Sequence, residues 1–361
     1  MNQGRRIDKD GNATVMLGEI SRLADRHLRF MEVCGTHTVS IFRSGIRSLL
    51  PKEIELVSGP GCPVCVTPAG EIDRAIAMAA LKDVTLLTFG DLMRVPGSSS
   101  SLFQERAVGR DIRVITSPLD ALEVALKEPK RRIVFFGVGF ETTSPAIAAA
   151  VKESQRSGIS NFYLLSSQRL VPPAIRALLS SGNVKIDGFI LPGHVSVIIG
   201  KEPYSFIAGE FFLKGVITGF EALDILEGIY MVLRQKREGR SEIEIQYTRA
   251  VREEGNPLAL KIMEEVFKPV DMRWRGLGII PKSGIALREE FQEMDAAKVF
   301  DIPYKDKTDP PACLCGEILQ GLKRPPECPL FGTRCTPQDP VGPCMVSSEG
   351  SCSAYYKYGG L

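Results

Sequence analysis

From about residue 28 to residue 225, the chain repeats one unit: a short apolar run, a turn that contains glycine, and a helical stretch. Most of the runs are four to six residues long and rich in branched or aromatic side chains, which is typical of strands buried on both faces. The alternation predicts an α/β fold with mainly parallel sheets. The predicted strands are 30–33, 54–57, 84–89, 112–115, 133–136, 162–165, 189–191 and 216–217, and the helices include 71–81, 145–154 and 222–235.

This pattern is too long for one small sheet, so we expect two α/β lobes around a cleft. The first would comprise residues 1–120, with Cys34, Cys62 and Cys65, and the second residues 121–240, with Glu141 and His194. From residue 310 onward, closely spaced prolines leave little room for long helices. We therefore expect residues 241–361 to form a helical and loop-rich C-terminal domain that a metal cluster cross-links.

Composition excludes several classes of function. A formal net charge of +2 and the lack of a basic run give no reason to expect nucleic acid. The first ten residues are polar and precede no apolar stretch of signal-peptide type, and no segment has the roughly 18 apolar residues of a spanning helix. We therefore expect a cytoplasmic protein without a membrane partner, in which clustered cysteines are metal ligands or redox-active.

Chemically capable side chains follow five of the predicted strands. Because ligands bind at the carboxyl ends of parallel strands, we expect these turns to share one cleft. The turns are 34–37, 59–65, 89–91, 139–143 and 192–196, and they carry Cys34, His37, Cys62, Cys65, Glu141, Thr142, Thr143 and His194. Each has a structural alternative: either histidine can be a hydrogen-bonded core residue, and the two threonines can cap a helix that has Pro145 at its first position.

The cysteines fall into two sets. Three lie near the start, and six of the nine lie in the last 49 residues. Cys62 and Cys65 form a Cys-x-x-Cys pair, which suits a disulfide, a reactive thiolate or half of a zinc site completed by Cys34 and His37. We favour a redox pair or thiolate ligands of a transiently held soft metal, because the pair lies in a ligand-type loop.

The C-terminal cysteines predict an iron–sulfur cluster. Cys328, Cys335, Cys344 and Cys352 are separated by six, eight and seven residues, without the close pairs that zinc knuckles prefer. Four thiolates on irregular loops suit a [4Fe-4S] cluster, which leaves Cys313 and Cys315 as additional thiols. The sequence lacks a Walker loop and a Gly-x-Gly-x-x-Gly turn, so phosphate-driven or nicotinamide chemistry is not expected.

Taken together, these motifs resemble those of the HypD family of hydrogenase maturation factors. The matching segments span nearly the whole chain in the family's order: 34–38, 59–65, 139–143, 192–196 and 342–352. The resemblance implies a scaffold for assembling the iron centre of nickel–iron hydrogenase, an iron that carries two cyanides and one carbon monoxide. It implies a stable complex with HypC, cyanide supplied by the thiocyanate of HypE, delivery to the hydrogenase large subunit, and a [4Fe-4S] cluster in the C-terminal domain.

Within this family, roles can be assigned to the turn residues. Cys34 would bind the transient iron, because thiolate suits a soft, low-spin metal. Cys62 and Cys65 would alternate between dithiol and disulfide, supplied with electrons by the cluster. His37 and His194 would donate hydrogen bonds to cyanide nitrogens or move protons, and Glu141 would orient one of them.

Two other functions remain open at the level of sequence. One is a stand-alone iron–sulfur thiol:disulfide oxidoreductase, which the same cysteines would serve. The other is a zinc-stabilised binding module, which would be colourless. Whether the protein turns over as an enzyme or acts only as an assembly scaffold also stays open.

Overall fold

The computed structural model describes residues 12–303 and 312–359. The polar N-terminal residues 1–10 and Pro310 and Pro311, used above, lie outside these ranges. Within them, the strands are β1 Leu28–Glu32, β2 Ile54–Ser58, β3 Val84–Thr88, β4 Ile112–Val114, β5 Arg132–Gly139, β6 Phe162–Arg169, β7 Gly188–Pro192, β8 Lys214–Thr218, β9 Ile243–Ile245, β10 Phe267–Trp274 and β11 Gly278–Leu287.

The described residues also form helices, most of which follow a strand. They are α1 Asn12–Leu23, α2 Gly35–Arg43, α3 Ile46–Leu49, α4 Ala69–Ala79, α5 Leu102–Ala107, α6 Asp120–Lys127, α7 Ser144–Arg156, α8 Val171–Ser180, α9 Gly193–Ile199, α10 Ser205–Gly209, α11 Ala222–Arg237, α12 Pro257–Val266, α13 Ala296–Val299, α14 Cys315–Leu319, α15 Pro343–Val346 and α16 Ser351–Tyr358. None of them is long and apolar enough to cross a bilayer, as judged over the described ranges.

The strands form two sheets, which confirms the predicted α/β class with two lobes. The first sheet has the order β2-β1-β7-β8-β9 and is entirely parallel. The second has the order β10-β11-β6-β5-β3-β4, in which β4, β3, β5 and β6 are parallel and β11 and β10 add an antiparallel edge. All eight predicted strands are present, whereas β9, β10 and β11 were not predicted.

The expected boundary at residue 120 does not separate the two sheets. β1 and β2 pair with β7, β8 and β9, while β3 and β4 pair with β5 and β6, so the chain leaves the first sheet after β2 and returns to it at β7. Residues 241–287, placed by the sequence in the C-terminal domain, supply β9 to one sheet and the β10–β11 hairpin to the other. Apolar runs identify strands but not their partners, so the sequence did not reveal this order of the strands.

One buried apolar cluster joins the sheets to the C-terminal segment. It contains Met31 and Phe189 from the first sheet, Val134 and Phe136 from the second, and Met345 from the tail. In its described residues the tail forms short helices, α14, α15 and α16, as its prolines predicted. The carboxyl ends of β1, β2 and β7 are therefore held next to both the second sheet and the cysteine-rich tail.

Candidate thiol and histidine site

Cys34 lies at the beginning of α2, immediately beyond β1. Its side chain is buried, and its backbone N–H donates to Glu32 Oε2 at 3.3 Å. Burial raises the pKa of the Cys34 thiol to about 12, and the negative charge of Glu349 raises it further. Backbone N–H groups in the first turn of α2 lower this pKa but only partly offset the rise. The uncomplexed thiol is therefore protonated, and binding of a soft metal would have to displace that proton.

The turn that carries Cys62 and Cys65 packs directly on the Cys34 turn. Gly35 N–H donates to Gly61 O at 3.0 Å, and a Cβ at Gly61 would lie 2.3 Å from the Cys34 nitrogen, so only glycine fits there. Cys62 and Cys65 are buried and joined by a disulfide with their Cα atoms 5.2 Å apart. With their sulfurs bonded to each other, they are not available as two thiolates of the alternative zinc site.

The two histidines of the turns differ in environment. His37 is fully buried on α2, and its Nε2 lies 2.9 Å from Gly219 O and 3.0 Å from Thr218 Oγ1. Burial lowers the pKa of His37 to about 4, so the ring is neutral near pH 7. His194 lies at the first turn of α9, exposed to solvent, and partial burial lowers its pKa while the charge of Glu349 opposes that shift.

Glu141 is buried at the end of β5 and contacts a helix, not a histidine. Its Oε1 accepts the N–H of Val171, the first residue of α8, at 2.9 Å, and its Oε2 is buried without a partner. Burial raises the pKa of the Glu141 carboxyl to about 7. Among the described residues no hydrogen bond joins Glu141 to His37 or His194, so the role of Glu141 in orienting one of them stays a prediction.

Thr142 and Thr143 lie where the sequence placed them, before α7. Thr143 occupies the N-cap position, but its side chain makes no capping hydrogen bond and instead packs against Gly139. Thr142 is exposed, and Pro145 is the second residue of the helix, after Ser144. The helix therefore begins at the predicted point, while the capping role expected of the threonine side chains is absent from this described segment.

All six C-terminal cysteines line one small apolar pocket in the tail. Their side chains surround it together with Ile318, Leu330 and Met345. Cys315 Sγ and Cys344 Sγ are 2.8 Å apart, and Val341 N–H donates to Cys335 Sγ at 3.3 Å. Over the described ranges, no three acidic, cysteine or histidine side chains are arranged to hold one metal ion.

This donor set fits an iron–sulfur cluster better than a single ion. Each iron of a [4Fe-4S] cube takes its own thiolate, so the sulfurs surround a space instead of converging on a point. A pocket lined by cysteines and apolar side chains has that chemistry. The assignment of Cys328, Cys335, Cys344 and Cys352 as ligands stays a prediction, because Cys313 and Cys315 line the same pocket.

The tail reaches the Cys34 turn through Glu349, which lies within the matching segment 342–352. Thr36 Oγ1 donates to Glu349 Oε1 at 2.6 Å, and the Glu349 backbone packs on Gly35. Glu349 lies between Cys344 and Cys352 in the chain, so the cysteine pocket and the cleft share one loop. Its position in the longest matching segment, 342–352, was the available signal.

Two aromatic residues of the site were also missed. Tyr204 is fully buried, and burial together with the charges of Glu141 and Cys34 raises its pKa, against an interaction with the Ser196 side chain. Phe220, in the turn after β8, stacks on both His37 and His194. That turn follows the predicted strand 216–217 but carries no ionisable side chain, which is why it was passed over.

The fold and site define a class of protein: a two-lobed α/β protein in which a buried thiol, a disulfide and two histidines adjoin a pocket lined by cysteines. The chain belongs to the HypD family. Residues 12–359 match the family model described as the hydrogenase formation hypA family.

Similar proteins match over nearly their full length. The hydrogenase maturation factor HypD of Rhizobium leguminosarum bv. viciae is 48% identical over 97% of this chain and 94% of its own. That of Rhodobacter capsulatus is 46% identical over 96% of this chain and 95% of its own. The HypD of Escherichia coli (strain K12) is 45% identical over 94% of this chain and 91% of its own.

Proposed function

We propose that this chain is a hydrogenase maturation factor that acts, with HypC, as the scaffold on which the Fe(CN)2CO moiety of nickel–iron hydrogenase is assembled. The full-length similarity to hydrogenase maturation factors supports the general role. The observation that carries the finer proposal is the contact of three elements at one place: the Cys34 turn, the Cys62–Cys65 disulfide and the loop of the cysteine pocket.

Cys34 is the residue that we assign as the ligand of the iron substrate. Its burial at the beginning of α2 keeps water away from a metal bound there, and the backbone N–H groups of Thr36 and His37 stabilise the thiolate. A second thiolate, from HypC, would complete the attachment. Neutral His37 and His194 lie on the adjoining turns, where they can exchange protons or hydrogen bonds with bound cyanide.

The Cys62–Cys65 pair has the redox capacity that cyanide release requires. A thiocyanate on HypE reacts with two thiols to give the HypE thiol, hydrogen cyanide and a disulfide, so two electrons and two protons come from the dithiol. The paired state found here corresponds to the oxidised product. Cys328, Cys335, Cys344 and Cys352 would hold a [4Fe-4S] cluster that, when bound, supplies single electrons for returning the pair to the dithiol.

The test is infrared spectroscopy and metal analysis of the protein purified anaerobically with HypC. We expect four irons and four sulfides in the tail and, in addition, bands in the cyanide and carbonyl stretching regions. Cys344→Ala should lose the cluster. A stand-alone thiol:disulfide oxidoreductase, the second candidate, would have the cluster but no such bands.

Cysteine variants separate the roles within the cleft. Cys34→Ser should abolish the infrared bands even in reducing buffer, because oxygen is a poor ligand for soft low-spin iron. Cys62→Ser and Cys65→Ser should block turnover but still hold some preloaded iron. If Cys34→Ser keeps the bands at full strength while both other variants lose them, the pair is the ligand set and our assignment is wrong.

A further inference from the structure

The turn at the end of β8, residues 218–220, contacts both histidines of the site. Thr218 is the last residue of β8, which pairs with β7 in the first sheet. His194 follows β7, and His37 lies on α2 beyond β1, the other neighbour of β7. The parallel order of these three strands therefore brings the turn and both histidines to one edge of the sheet.

The turn fixes which nitrogen of His37 carries the proton. Nε2 lies 2.9 Å from Gly219 O, and a carbonyl oxygen can only accept, so Nε2 must be the donor. Thr218 Oγ1, at 3.0 Å from the same nitrogen, is a second contact. Because the buried ring is neutral, Nδ1 then carries a free lone pair, and it has no partner in the described structure.

Phe220 supplies a stacking surface shared by the two imidazoles. Its ring centroid lies 4.8 Å from that of His37, at an interplanar angle of 28°. The centroid of His194 lies 3.8 Å from it, at 25°. Tyr247 meets the Phe220 ring edge-on at 5.8 Å, so the stacking surface is itself supported.

The backbone of the turn is held independently of the histidines. Gly219 N–H donates to Gln246 Oε1 at 3.0 Å, and Ser40 Oγ donates to Phe220 O at 2.5 Å. Arg249 and Gln246 both bind Asp224 at the beginning of α11, which fixes the far end of the turn. The turn is therefore a rigid support rather than a loop that follows the histidines.

We infer that residues 218–220 are a positioning element for the site, in which Gly219 and Thr218 set the His37 tautomer and Phe220 fixes the relative placement of His37 and His194. The inference rests on the proposed function, because the placement would present His194 to iron-bound cyanide and His37 to the hydrogen cyanide released from HypE. It assigns His37 the role of a hydrogen-bond acceptor through Nδ1, toward a donor such as hydrogen cyanide, since the nitrogen of iron-bound cyanide is itself only an acceptor. The donor role expected from the sequence is then left to His194.

The chain offers a simple spectroscopic test, since it contains only three histidines. In protein labelled with ¹⁵N-histidine, His37 should show the Nε2–H tautomer, and the ring protons of His194 should be shifted upfield by Phe220. His27, whose side chain is 62% exposed, is the internal reference. Phe220→Leu should remove the upfield shift, Phe220→Tyr should retain it, and Phe211→Leu, in an aromatic pair with Phe206, is the matched control.

The second readout is the infrared signature of the complex with HypC. Phe220→Leu should weaken the cyanide and carbonyl bands by up to about tenfold, the scale set by loss of an aromatic stack. Phe220→Tyr and Phe211→Leu should keep them.

The inference is overturned if His37 of the wild type carries its proton on Nδ1, a result that requires no variant to fold. It is also overturned if Phe220→Leu loses the ring shift but keeps full infrared bands. Failure of the proposed function is a separate result, in which the wild type shows the predicted tautomer and ring shift but no bands.

Discussion

At the scale of the residue, Glu141 shows how a site carboxylate can be held by backbone structure alone. Its Oε1 accepts the N–H at the beginning of α8, where the helix dipole favours negative charge. Burial works in the opposite direction and dominates, since the pKa is raised to about 7. An acid whose folded pKa is raised destabilises the fold as it ionises, and this penalty should be measurable.

We predict that Glu141→Gln changes how stability depends on pH. Below about pH 4.5 the Glu141 carboxyl is protonated in both the folded and the unfolded protein and does not affect stability. Between about pH 4.5 and 7 it ionises in the unfolded protein first, so the stability of the wild type falls as the pH rises. Above about pH 7 the carboxyl is ionised in both states, and the loss of stability is complete. The complete loss of stability is on the order of 3 kcal/mol. Glutamine keeps an acceptor for Val171 and cannot ionise.

The measurement is the difference in unfolding midpoint between wild type and Glu141→Gln from pH 4 to pH 8. This difference should rise in favour of the variant across the window and then level off. Glu153→Gln, at a partly exposed position of α7, is the control and should show no such rise. If the unfolding midpoints of the two proteins change in parallel with pH, Glu141 ionises in the folded protein as readily as in the unfolded one.

The sequence predicted which side chains follow the strand ends, but it did not predict what those side chains contact. The motifs identified Cys34, His37, Glu141 and His194 as neighbours of strand ends, which the structure bears out as placement. The direction of a side chain depends on rotamers and on partners distant in sequence: His37 contacts Gly219, and Thr36 contacts Glu349. Such partners have no local sequence signal.

At the scale of the element, a buried ion pair fastens α4, and with it the Cys62–Cys65 turn, to the second sheet. Arg169, the last residue of β6, is fully buried, and its Nη2 lies 2.6 Å from Glu71 Oε1 in the first turn of α4. The same guanidinium donates to Ser167 O at 3.0 Å and to Arg273 O at 2.8 Å. Every bond would be lost together if the arginine were removed.

We predict that Arg169→Met destabilises the protein by about 3–5 kcal/mol, because the largely buried Glu71 loses its counter-charge and keeps only the hydrogen bond from Ser167 Oγ. Arg156→Met, which breaks the exposed pair with Glu153 within α7, should change stability by less than about 1 kcal/mol. Chemical unfolding of both variants is the measurement. Equal midpoints for the two would show that the Arg169 pair contributes no more than a surface pair does.

Elements differed in how well the sequence predicted them. The parallel strands β1 to β8 are mostly buried, apart from the edge strand β4, and are rich in apolar residues, so all were found. β10 alternates buried, intermediate and exposed residues and contains Pro269, and β11 contains Pro281 and two glycines, so neither resembles a buried strand. They form a hairpin at the edge of the sheet, where such residues are tolerated.

At the scale of the whole molecule, the chain passes between its two sheets more than once, so no single cut divides it. The same topology brings the C-terminal tail back onto α2, where α16 packs through Tyr355 against Phe42. The cysteine pocket is therefore attached to the element that carries Cys34 and His37. Sequence order separates these parts by some 300 residues, and only the fold brings them together.

Gly35, at the beginning of α2, packs directly on Glu349 in the loop of the cysteine pocket. A Cβ at Gly35 would lie 2.5 Å from both Cβ and O of Glu349, a distance that forces the loop of the cysteine pocket away from the cleft. Gly35→Ala should therefore break the Thr36–Glu349 hydrogen bond and expose residues 347–350 to faster amide exchange. The cysteine pocket itself does not include this contact, so iron and sulfide content should stay at the wild-type level while the infrared bands fall.

Gly18→Ala is the matched control for this prediction. Gly18 lies in α1 with nothing within 4 Å of its Cβ position, so alanine should stabilise the helix by about 0.5–1 kcal/mol and leave exchange in the tail unchanged. Hydrogen exchange measured by mass spectrometry, with iron analysis on the same samples, distinguishes the outcomes. If Gly35→Ala loses both the cluster and the infrared bands, the cysteine pocket and the cleft form one cooperative unit. If it loses neither, the cleft holds its iron without Glu349 beside Cys34, and contact between tail and cleft is not required for assembly.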